Sequence, residues 1–417
     1  MAIIKPFKGI RPAKDKVHLV ASRSVDGYSP AQLTSKLSEN PYSFLHVIKP
    51  EFKESSKAKA GTLEQLQKIK VKFLQFVSEG YLFQDKEESI YIYQQIQDGH
   101  AFTGIIACSS IWDYYSNVIK IHEQTISDRE EKLKTYLEVC DFNAEPVCLS
   151  YPDNKAIDEV ITKATSQPAE YDFTTTDKIR HKLWVINNKA TLLELERAFE
   201  KLPAVYIADG HHRTASSALL GKMKKKNNPN HTGNEPYNFF LSVIFPERDL
   251  KIYEFNRIIK DLNFLSKETF LRKLSQNFEI KEIGKTPYKP TKKGDLSLYI
   301  EETWYSVSIK AEVQAKPEMK DKLDVEILSD LILAPLLDIH DLKTDKRVAF
   351  VSGTKGIAEL TKTIDDGKAM AGFVLHPLSM HDIIKVADAG GIMPPKSTWV
   401  EPKMRSGLVV YSLSPSI

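Results

Sequence analysis

The stretch YIADGHHRTASSA, residues 206–218, contains an acidic residue, a glycine, two histidines and an arginine in five consecutive positions. An apolar run at 204–207 precedes these polar residues, and small residues follow from Ala215. A short apolar run, a glycine and a segment compatible with a helix predict a strand, a sharp turn and a helix. The polar cluster is therefore expected where the strand ends and the helix begins.

That position favours the binding of an anion. Gly210 takes a positive φ at little cost, and Asp209 can accept hydrogen bonds from amides at the helix start. The first amides of a helix lack an intrahelical partner, and this end carries partial positive charge, so it suits phosphate. Arg213 adds a planar donor for phosphate or carboxylate, while His211 and His212 can donate hydrogen bonds or carry protons near neutral pH. The alternative is a capped helix with a surface arginine and two partly buried histidines.

The same residues raise the question of a metal site. Asp209, His211, His212 and His122 are of the types that bind zinc. Adjacent histidines in a strand would face opposite sides, however, and no H-x-x-x-H pair supports them, so the pattern disfavours zinc. Magnesium held by Asp209 and by nucleotide phosphates is the favoured metal, because magnesium prefers carboxylate and phosphate oxygens.

Length and composition set the class of protein. The 417 residues predict two or three domains, and 42% hydrophobic with 27% charged residues are typical of a globular chain. A net charge of +3 gives no sign of a nucleic-acid partner, and no helix-turn-helix with a basic face is recognised. Three cysteines without a CxxC pair favour a reducing cytoplasm. No membrane partner is expected, because no apolar run approaches the roughly 20 residues of a span. The sequence does not decide whether the chain forms a homodimer.

Strand and helix patterns occur without regular alternation, which predicts an α+β fold. Residues 62–79 have the three- and four-residue apolar spacing of an amphipathic helix. Alternating residues at 88–110 predict a hairpin, and the run 44–48 between two prolines predicts a strand. Ser127 and Glu130 are spaced as a capping box at the start of the next helix.

The motifs resemble a known family. ADGHHRTAS at 208–216 resembles the signature of domain-of-unknown-function family 1015. Further stretches have the expected look and order, so the resemblance extends nearly from end to end: PFKGIRP at 6–12, ENPYSFLHVIKPE at 39–51, IKIHEQT at 119–125 and ADAGGIMPPKSTWVEPKMRSGL at 387–408. The family name states no activity.

The DGHHR core also resembles the ParB and sulfiredoxin superfamily, in which a similar turn at a helix start binds nucleotide phosphates. One branch contains free-serine kinases, which phosphorylate the amino acid with ADP or ATP and use a glutamate to activate the hydroxyl. The resemblance implies a mixed-sheet ParB/sulfiredoxin-like core with additional α/β elements and a C-terminal α+β region. We expect the nucleotide-binding core, with N-terminal elaborations, at 1–260. The C-terminal region then covers 261–417, including a long apolar helix at 321–339, and its last segment, 387–408, returns to the site.

Two departures from the relatives are visible. The proline-rich stretch that they often carry near the start is ASRSVDGY here, at 21–28. A histidine–arginine pair expected after the second hairpin is replaced by Phe255, Asn256 and Arg257. Both departures bear on which ligand this chain would bind.

Chemistry and resemblance together assign roles to residues. Phosphoryl transfer to an alcohol needs a carboxylate near the attacking hydroxyl and cations around the phosphates. Glu123 is the candidate base; its alternative role is to complement the dipole of the coming helix. Two further catalytic residues are expected, Asp209 and His211. The nucleotide is expected to contact Gly210, His212, Arg213 and Thr214. The substrate is expected to contact His122, Trp184 and Lys403, although Trp184 is also compatible with a place in the core.

The segment GGIMPPKST, 390–398, is close to a phosphate-binding P-loop but lacks its second glycine. Pro394 and Pro395 have no N–H to donate, so this is not a working Walker A loop. The family pattern nevertheless suggests that Lys396, Ser397 and Thr398 face the site and contact the nucleotide; a rigid turn with a solvated lysine is the alternative.

These motifs suggest three functions. The first is a kinase that phosphorylates a free hydroxy amino acid, with L-serine as the first acceptor expected, ADP or ATP as donor and Mg²⁺ as cofactor. The second is a ParB-like regulatory protein that binds or hydrolyses nucleotide without an amino-acid acceptor. The third, a sulfiredoxin-like reductase, needs a reactive cysteine beside the phosphate loop, and none of the three cysteines lies in these motifs.

Overall fold

A computed structural model of the chain describes residues 1–52, 58–319 and 321–414. It divides into two compact units. The first contains residues 1–250, 387–390 and the segment from 402 onwards, and the second contains 251–386 and 391–401.

The strands are β1 Ile4–Lys5, β2 Ile10–Pro12, β3 Leu82–Gln84, β4 Ile90–Gln97, β5 His100–Ser110, β6 Ile119–Lys120, β7 Phe142–Asn143, β8 Val147–Tyr151, β9 Tyr171–Thr174, β10 Arg180–Ile186, β11 Val205–Asp209, β12 Phe239–Pro246, β13 Lys251–Ile259, β14 Phe278–Gly284, β15 Asp295–Ile300, β16 Thr303–Ile309, β17 Val348–Ser352, β18 Ala371–Leu375, β19 Thr398–Glu401 and β20 Tyr411–Ser412. The α-helices are α1 Val17–Val20, α2 Pro30–Glu39, α3 Leu45–Ile48, α4 Leu63–Ser78, α5 Ile111–Tyr115, α6 Ser127–Cys140, α7 Lys155–Thr165, α8 Lys189–Glu200, α9 His211–Asn227, α10 Lys267–Leu274, α11 Ala311–Gln314, α12 Asp324–Leu328, α13 Ala334–Leu337, α14 Ile357–Asp365 and α15 Met380–Asp388.

The first unit is built on a mixed sheet. Its strands follow the order β6-β11-β8-β12-β5-β4-β10-β9, with β1 beside β5. The pairs β6/β11 and β8/β12 are parallel, and the other pairs of this sheet are antiparallel. Apolar side chains from several of these strands and from α7 and α8 form one buried cluster. The predicted α+β class with a mixed sheet is confirmed, as is the hairpin, which forms β4 and β5.

Helix α9 packs close to its neighbours because the residues on its inner face are small. Ala215 and Ala218 are buried. A Cβ added to Gly221 would lie 2.2 Å from Ile111 Cδ1 of α5 and 2.5 Å from the carbonyl oxygen of Tyr237. No larger residue fits at Gly221, so the close approach of α9 is set by the sequence.

The second unit has an antiparallel sheet, with the strand order β14-β16-β15-β18-β13-β17 and with β19 beside β13. Leu360 and Ile364 of α14 pack with Ile258, Trp304 and Val374 of this sheet in one buried cluster. No helix in the described ranges is long and apolar enough to cross a membrane.

Three local predictions were wrong. Residues 45–48 form helix α3 instead of a strand, because a short apolar run fits a buried helical turn equally well. Ile126 precedes α6 at the cap position without a side-chain cap, and the Glu130 carboxylate accepts from the Thr125 hydroxyl, so there is no capping box. The long apolar helix is interrupted by a π-helical turn, Ser329–Leu333, between α12 and α13. Pro335 lacks the N–H that a regular helix would use there.

Candidate functional site

Two parallel strands bring the first pair of predicted residues together. In β11 and β6, Val205 lies opposite Ile119 and Tyr206 lies opposite Lys120. Parallel neighbours end at the same edge of a sheet, so the residues that follow them meet there. His122 follows β6 and His211 follows β11, and their imidazole centroids are 4.5 Å apart with the rings nearly perpendicular.

The turn between β11 and α9 is made by Gly210, which has φ 109° and ψ 28°. Helix α9 begins at His211, and its N-cap residue, Gly210, has no side chain to cap it. Thr214 donates its backbone N–H to the carbonyl oxygen of Gly210 at 3.0 Å, and its buried hydroxyl donates to the same oxygen at 3.3 Å. A cap from Asp209 to these amides stays a prediction, and Gly210 itself has no side chain that could occupy them. The helix start therefore keeps its capacity to hold an anion.

The Asp209 carboxylate lies beside two cationic side chains. Lys403 Nζ lies 2.8 Å from Asp209 Oδ2, and Arg213 Nη2 lies 4.0 Å from Oδ1. Burial acts to raise the pKa of Asp209, but Lys403 and then Arg213 outweigh it and lower this pKa to about 2. The carboxylate is therefore charged at neutral pH, and it places an ammonium and a guanidinium group beside the start of α9.

The two buried histidines are neutral at pH 7. Burial lowers the pKa of His122 to about 4. Burial, reinforced by His122, also lowers the pKa of His211 well below its usual value. The His122 backbone N–H lies 3.4 Å from His211 Nε2, so that nitrogen is the acceptor and the ring proton is on Nδ1. A proton-carrying role near neutral pH is thus disfavoured for both residues.

His122 is expected to make stability pH-dependent. Its folded pKa, about 4, lies below the 6.5 of an unperturbed histidine, so the unfolded state takes up the proton first as pH falls. The contribution is fully present above pH 6.5 and is lost between pH 6.5 and 4. Urea titrations at both ends of this window should show that the wild-type chain loses about 3 kcal/mol more stability than His122→Gln. Equal losses in the two proteins would contradict this expectation.

Glu123 completes this group. Its Oε2 lies 3.7 Å from His211 Nδ1, the nitrogen that carries the proton. The Glu123 side chain is 49% exposed, whereas the His211 side chain is 4% exposed. A charged oxygen accessible to a ligand therefore lies beside a buried neutral imidazole at the start of α9.

Arg213 extends the site toward β8. Its Nη1 donates to the carbonyl oxygen of Pro146 at 3.0 Å and lies 3.6 Å from Glu145 Oε2. Because β8 runs beside β11, the residues just before β8 lie next to Asp209. Arg213 is thus oriented by a carbonyl and a carboxylate and lies close to Asp209.

The segment after residue 402 supplies further contacts to this group. The Gln95 side-chain amide donates to the Lys403 carbonyl oxygen at 3.0 Å, and the Ser406 hydroxyl donates to Glu145 Oε1 at 2.9 Å. Arg405 is buried and pairs with Asp177 at 2.8 Å. Sequence reasoning selected Lys403 but missed Glu145, Gln95 and Ser406. No local pattern marks them, because they become neighbours only when distant segments fold together.

Trp184 and residues 396–398 were also predicted to contact a ligand. Trp184 of β10 belongs to the buried core cluster, and its indole N–H donates to the carbonyl oxygen of Gln167 at 2.8 Å. In the second unit, Lys396 lies over the ring of Phe255, the Ser397 hydroxyl donates to the Pro394 carbonyl oxygen at 2.6 Å, and Thr398 begins β19. The substrate contact of Trp184 and the nucleotide contacts of 396–398 stay predictions.

The same geometry bears on a metal site. The described residues contain no group of three or more side chains that could hold a metal ion. Asp209 is a single carboxylate flanked by Lys403 and Arg213, which is not by itself a magnesium site. Its role as a metal ligand stays a prediction, limited to an ion that nucleotide phosphates would bring with them.

Comparisons with known proteins place the chain in a family. Solved structures with some likeness include C-terminally truncated SbnI from Staphylococcus aureus, with 11% identity, a TM-score of 0.37 and coverage of 71% of this chain and 82% of that one. A free serine kinase in complex with AMP has 12% identity, a TM-score of 0.33 and coverage of 72% and 88%. A conserved hypothetical protein from Pyrococcus furiosus has 14% identity, a TM-score of 0.35 and coverage of 77% and 99%. Likeness at these scores carries no argument about the activity of this chain.

No curated protein matched the chain. The family model described as protein of unknown function (DUF1015) matches residues 4–326, which is more than half of the 417 residues. The match includes the turn at Gly210, the histidine pair and Glu123. This chain therefore belongs to the DUF1015 family of proteins of unknown function.

Proposed function

We propose that this protein is a small-molecule kinase, which transfers a phosphoryl group from ADP or ATP to the hydroxyl of a free amino acid, with L-serine as the first acceptor. The observation that carries the proposal is a convergence at the start of α9. A helix start without a side-chain cap, the cations Arg213 and Lys403, and the exposed carboxylate of Glu123 lie around one turn. Phosphoryl transfer requires these groups: positive charge for the phosphates and a carboxylate for the hydroxyl proton.

The nucleotide phosphates would lie at the start of α9. The helix end offers backbone N–H groups and partial positive charge, and Arg213 offers a bidentate donor. Asp209 holds Lys403 and lies near Arg213, so both cations are positioned before the nucleotide arrives. Mg²⁺ bound to the phosphates would supply additional charge neutralisation, and Asp209 is the carboxylate proposed to hold it.

The acceptor hydroxyl would lie between the terminal phosphorus and Glu123. Its oxygen forms the new bond to phosphorus while the bond to the leaving phosphate oxygen breaks, and Glu123 takes the hydroxyl proton. The products are the phosphorylated amino acid and AMP from ADP, or ADP from ATP. His211 is placed to position the base, because its Nδ1 proton faces Glu123 Oε2 while the His122 backbone N–H holds its other nitrogen. The preference for serine rests on the resemblance to free-serine kinases.

The direct test is product formation. The full chain should be incubated with magnesium, ADP or ATP, and L-serine, and O-phosphoserine should be measured; L-threonine and L-homoserine complete the panel. The expected result is phosphorylated product that depends on both nucleotide and acceptor. If no acceptor is phosphorylated with either nucleotide, the kinase proposal is wrong. Nucleotide binding or hydrolysis without such a product would favour the nucleotide-binding regulator.

A further inference from the structure

A cavity of about 200 Å³ lies beside Arg213 within the first unit. Leu133, Tyr136 and Leu137 of α6 and Val147 of β8 supply apolar and aromatic wall. Mostly apolar walls with a few polar groups are typical of sites for small organic ligands. The geometry of the phosphate-binding turn does not account for this space, because a phosphate needs charge and donors and no apolar wall.

One polar group in this cavity has an unmet hydrogen bond. Asn143 lines the cavity and is 7% exposed. Its Oδ1 accepts the backbone N–H of Leu241 at 3.1 Å, which fixes the orientation of the amide. Its buried Nδ2 has no hydrogen-bond partner among the described residues. Buried donors are nearly always satisfied, so the cavity is suited to a ligand that presents an acceptor to Asn143.

Arg213 connects this cavity to the proposed phosphate site. Arg213 and Ser217, one turn apart on α9, both line the cavity. The Arg213 guanidinium also lies 4.0 Å from Asp209, at the start of the same helix. A ligand with phosphates at the start of α9 would therefore have its other end beside Asn143 and Tyr136.

We propose that this cavity holds the purine ring of the nucleotide, with Asn143 Nδ2 donating to a ring nitrogen. The inference rests on the proposed function, since it assumes that phosphates bind at the start of α9. A purine is flat and largely apolar on its faces, and it has acceptor nitrogens on its edge, which matches the walls and the unmet donor of Asn143. Ser217 then faces the ring, and a larger side chain at this position would fill the space that the ring needs.

The test compares whole nucleotide with its phosphate part. Calorimetric titrations of the full chain should use ADP and inorganic pyrophosphate, first with the unaltered protein and then with Ser217→Leu. The variant should weaken ADP binding by about tenfold or more and leave pyrophosphate binding within about twofold. Pyrophosphate is the internal control for folding and for the phosphate site.

A second measurement leaves the protein unaltered. ADP analogues in which N1, N3 or N7 of adenine is replaced by a CH group each lack one acceptor. One of the three should bind about 5–150-fold more weakly than ADP, because the buried Asn143 donor then loses its partner. If Ser217→Leu loses both ligands, these analogues decide the matter.

The outcomes separate the two proposals. If ADP binds but Ser217→Leu and all three analogues leave its affinity unchanged, the base lies elsewhere and the inference fails, while the proposed phosphate site stands. If neither ADP nor pyrophosphate binds to the unaltered chain, the proposed function fails and the inference fails with it.

Discussion

Glu123→Gln is expected to lower the rate of phosphoryl transfer by about 10²–10⁴-fold while nucleotide affinity stays within about twofold. Glutamine keeps the size of the side chain but cannot take the hydroxyl proton. The nucleotide contacts proposed for Arg213 and Lys403 are untouched, so binding should persist. Single-turnover formation of O-phosphoserine and calorimetric ADP binding measure the two quantities separately.

The matched control for this change is Glu131→Gln. Glu131 lies on α6 and pairs with Lys134 at the surface, so the substitution removes the same charge away from the turn. Its rate should equal that of the unaltered chain. Unchanged turnover in Glu123→Gln would clear Glu123 of the role, and an equal loss in both variants would point to a general charge effect.

Gly210→Ala is expected to reduce nucleotide affinity by about 10–150-fold. Gly210 has φ 109°, and an added Cβ would lie 3.1 Å from both Nε and Nη2 of Arg213. The guanidinium proposed to hold the phosphates would therefore have to shift by a few tenths of an ångström from its place beside the turn. The strained backbone should also lower the free energy of unfolding by about 1–2 kcal/mol.

The variant Gly99→Ala distinguishes an effect on the position of Arg213 from an effect of backbone strain. Gly99 lies in the turn between β4 and β5 with φ 75°, and an added Cβ there meets nothing within 4 Å. Both variants should lose comparable stability in urea titrations, but Gly99→Ala should bind ADP like the unaltered chain. Equal ADP affinity in Gly210→Ala and Gly99→Ala would remove the argument that Arg213 must keep its position.

The turn itself was predictable from the sequence because its determinants are local. A buried apolar strand, a glycine able to take a positive φ and small residues on the following helix lie within a few residues of one another. The errors were also local. The run at 45–48 contains too few residues to show a period, and the Ser127–Glu130 spacing specifies a cap only if the helix starts one residue later than it does.

The protonation state of the histidines could not be predicted from the residue type alone. An isolated histidine titrates near neutral pH, and the sequence allowed His211 and His212 either to donate hydrogen bonds or to carry protons. Burial at the edge of the sheet lowers the pKa of His122 to about 4 and that of His211 well below its usual value. Burial depends on what packs above a residue, and that information is spread over the whole unit.

By itself the sequence determined the strand, the glycine turn and the helix start at 205–211, together with the family. Tertiary structure alone decided which groups surround that turn. Parallel pairing of β6 with β11 places His122 and Glu123 at His211, and the segment after 402 carries Lys403 to Asp209. The physical reason is that turns and caps depend on neighbours in the chain. Charge pairs, buried imidazoles and the cavity beside Arg213 instead depend on segments that are far apart in sequence and are joined by strand pairing and packing.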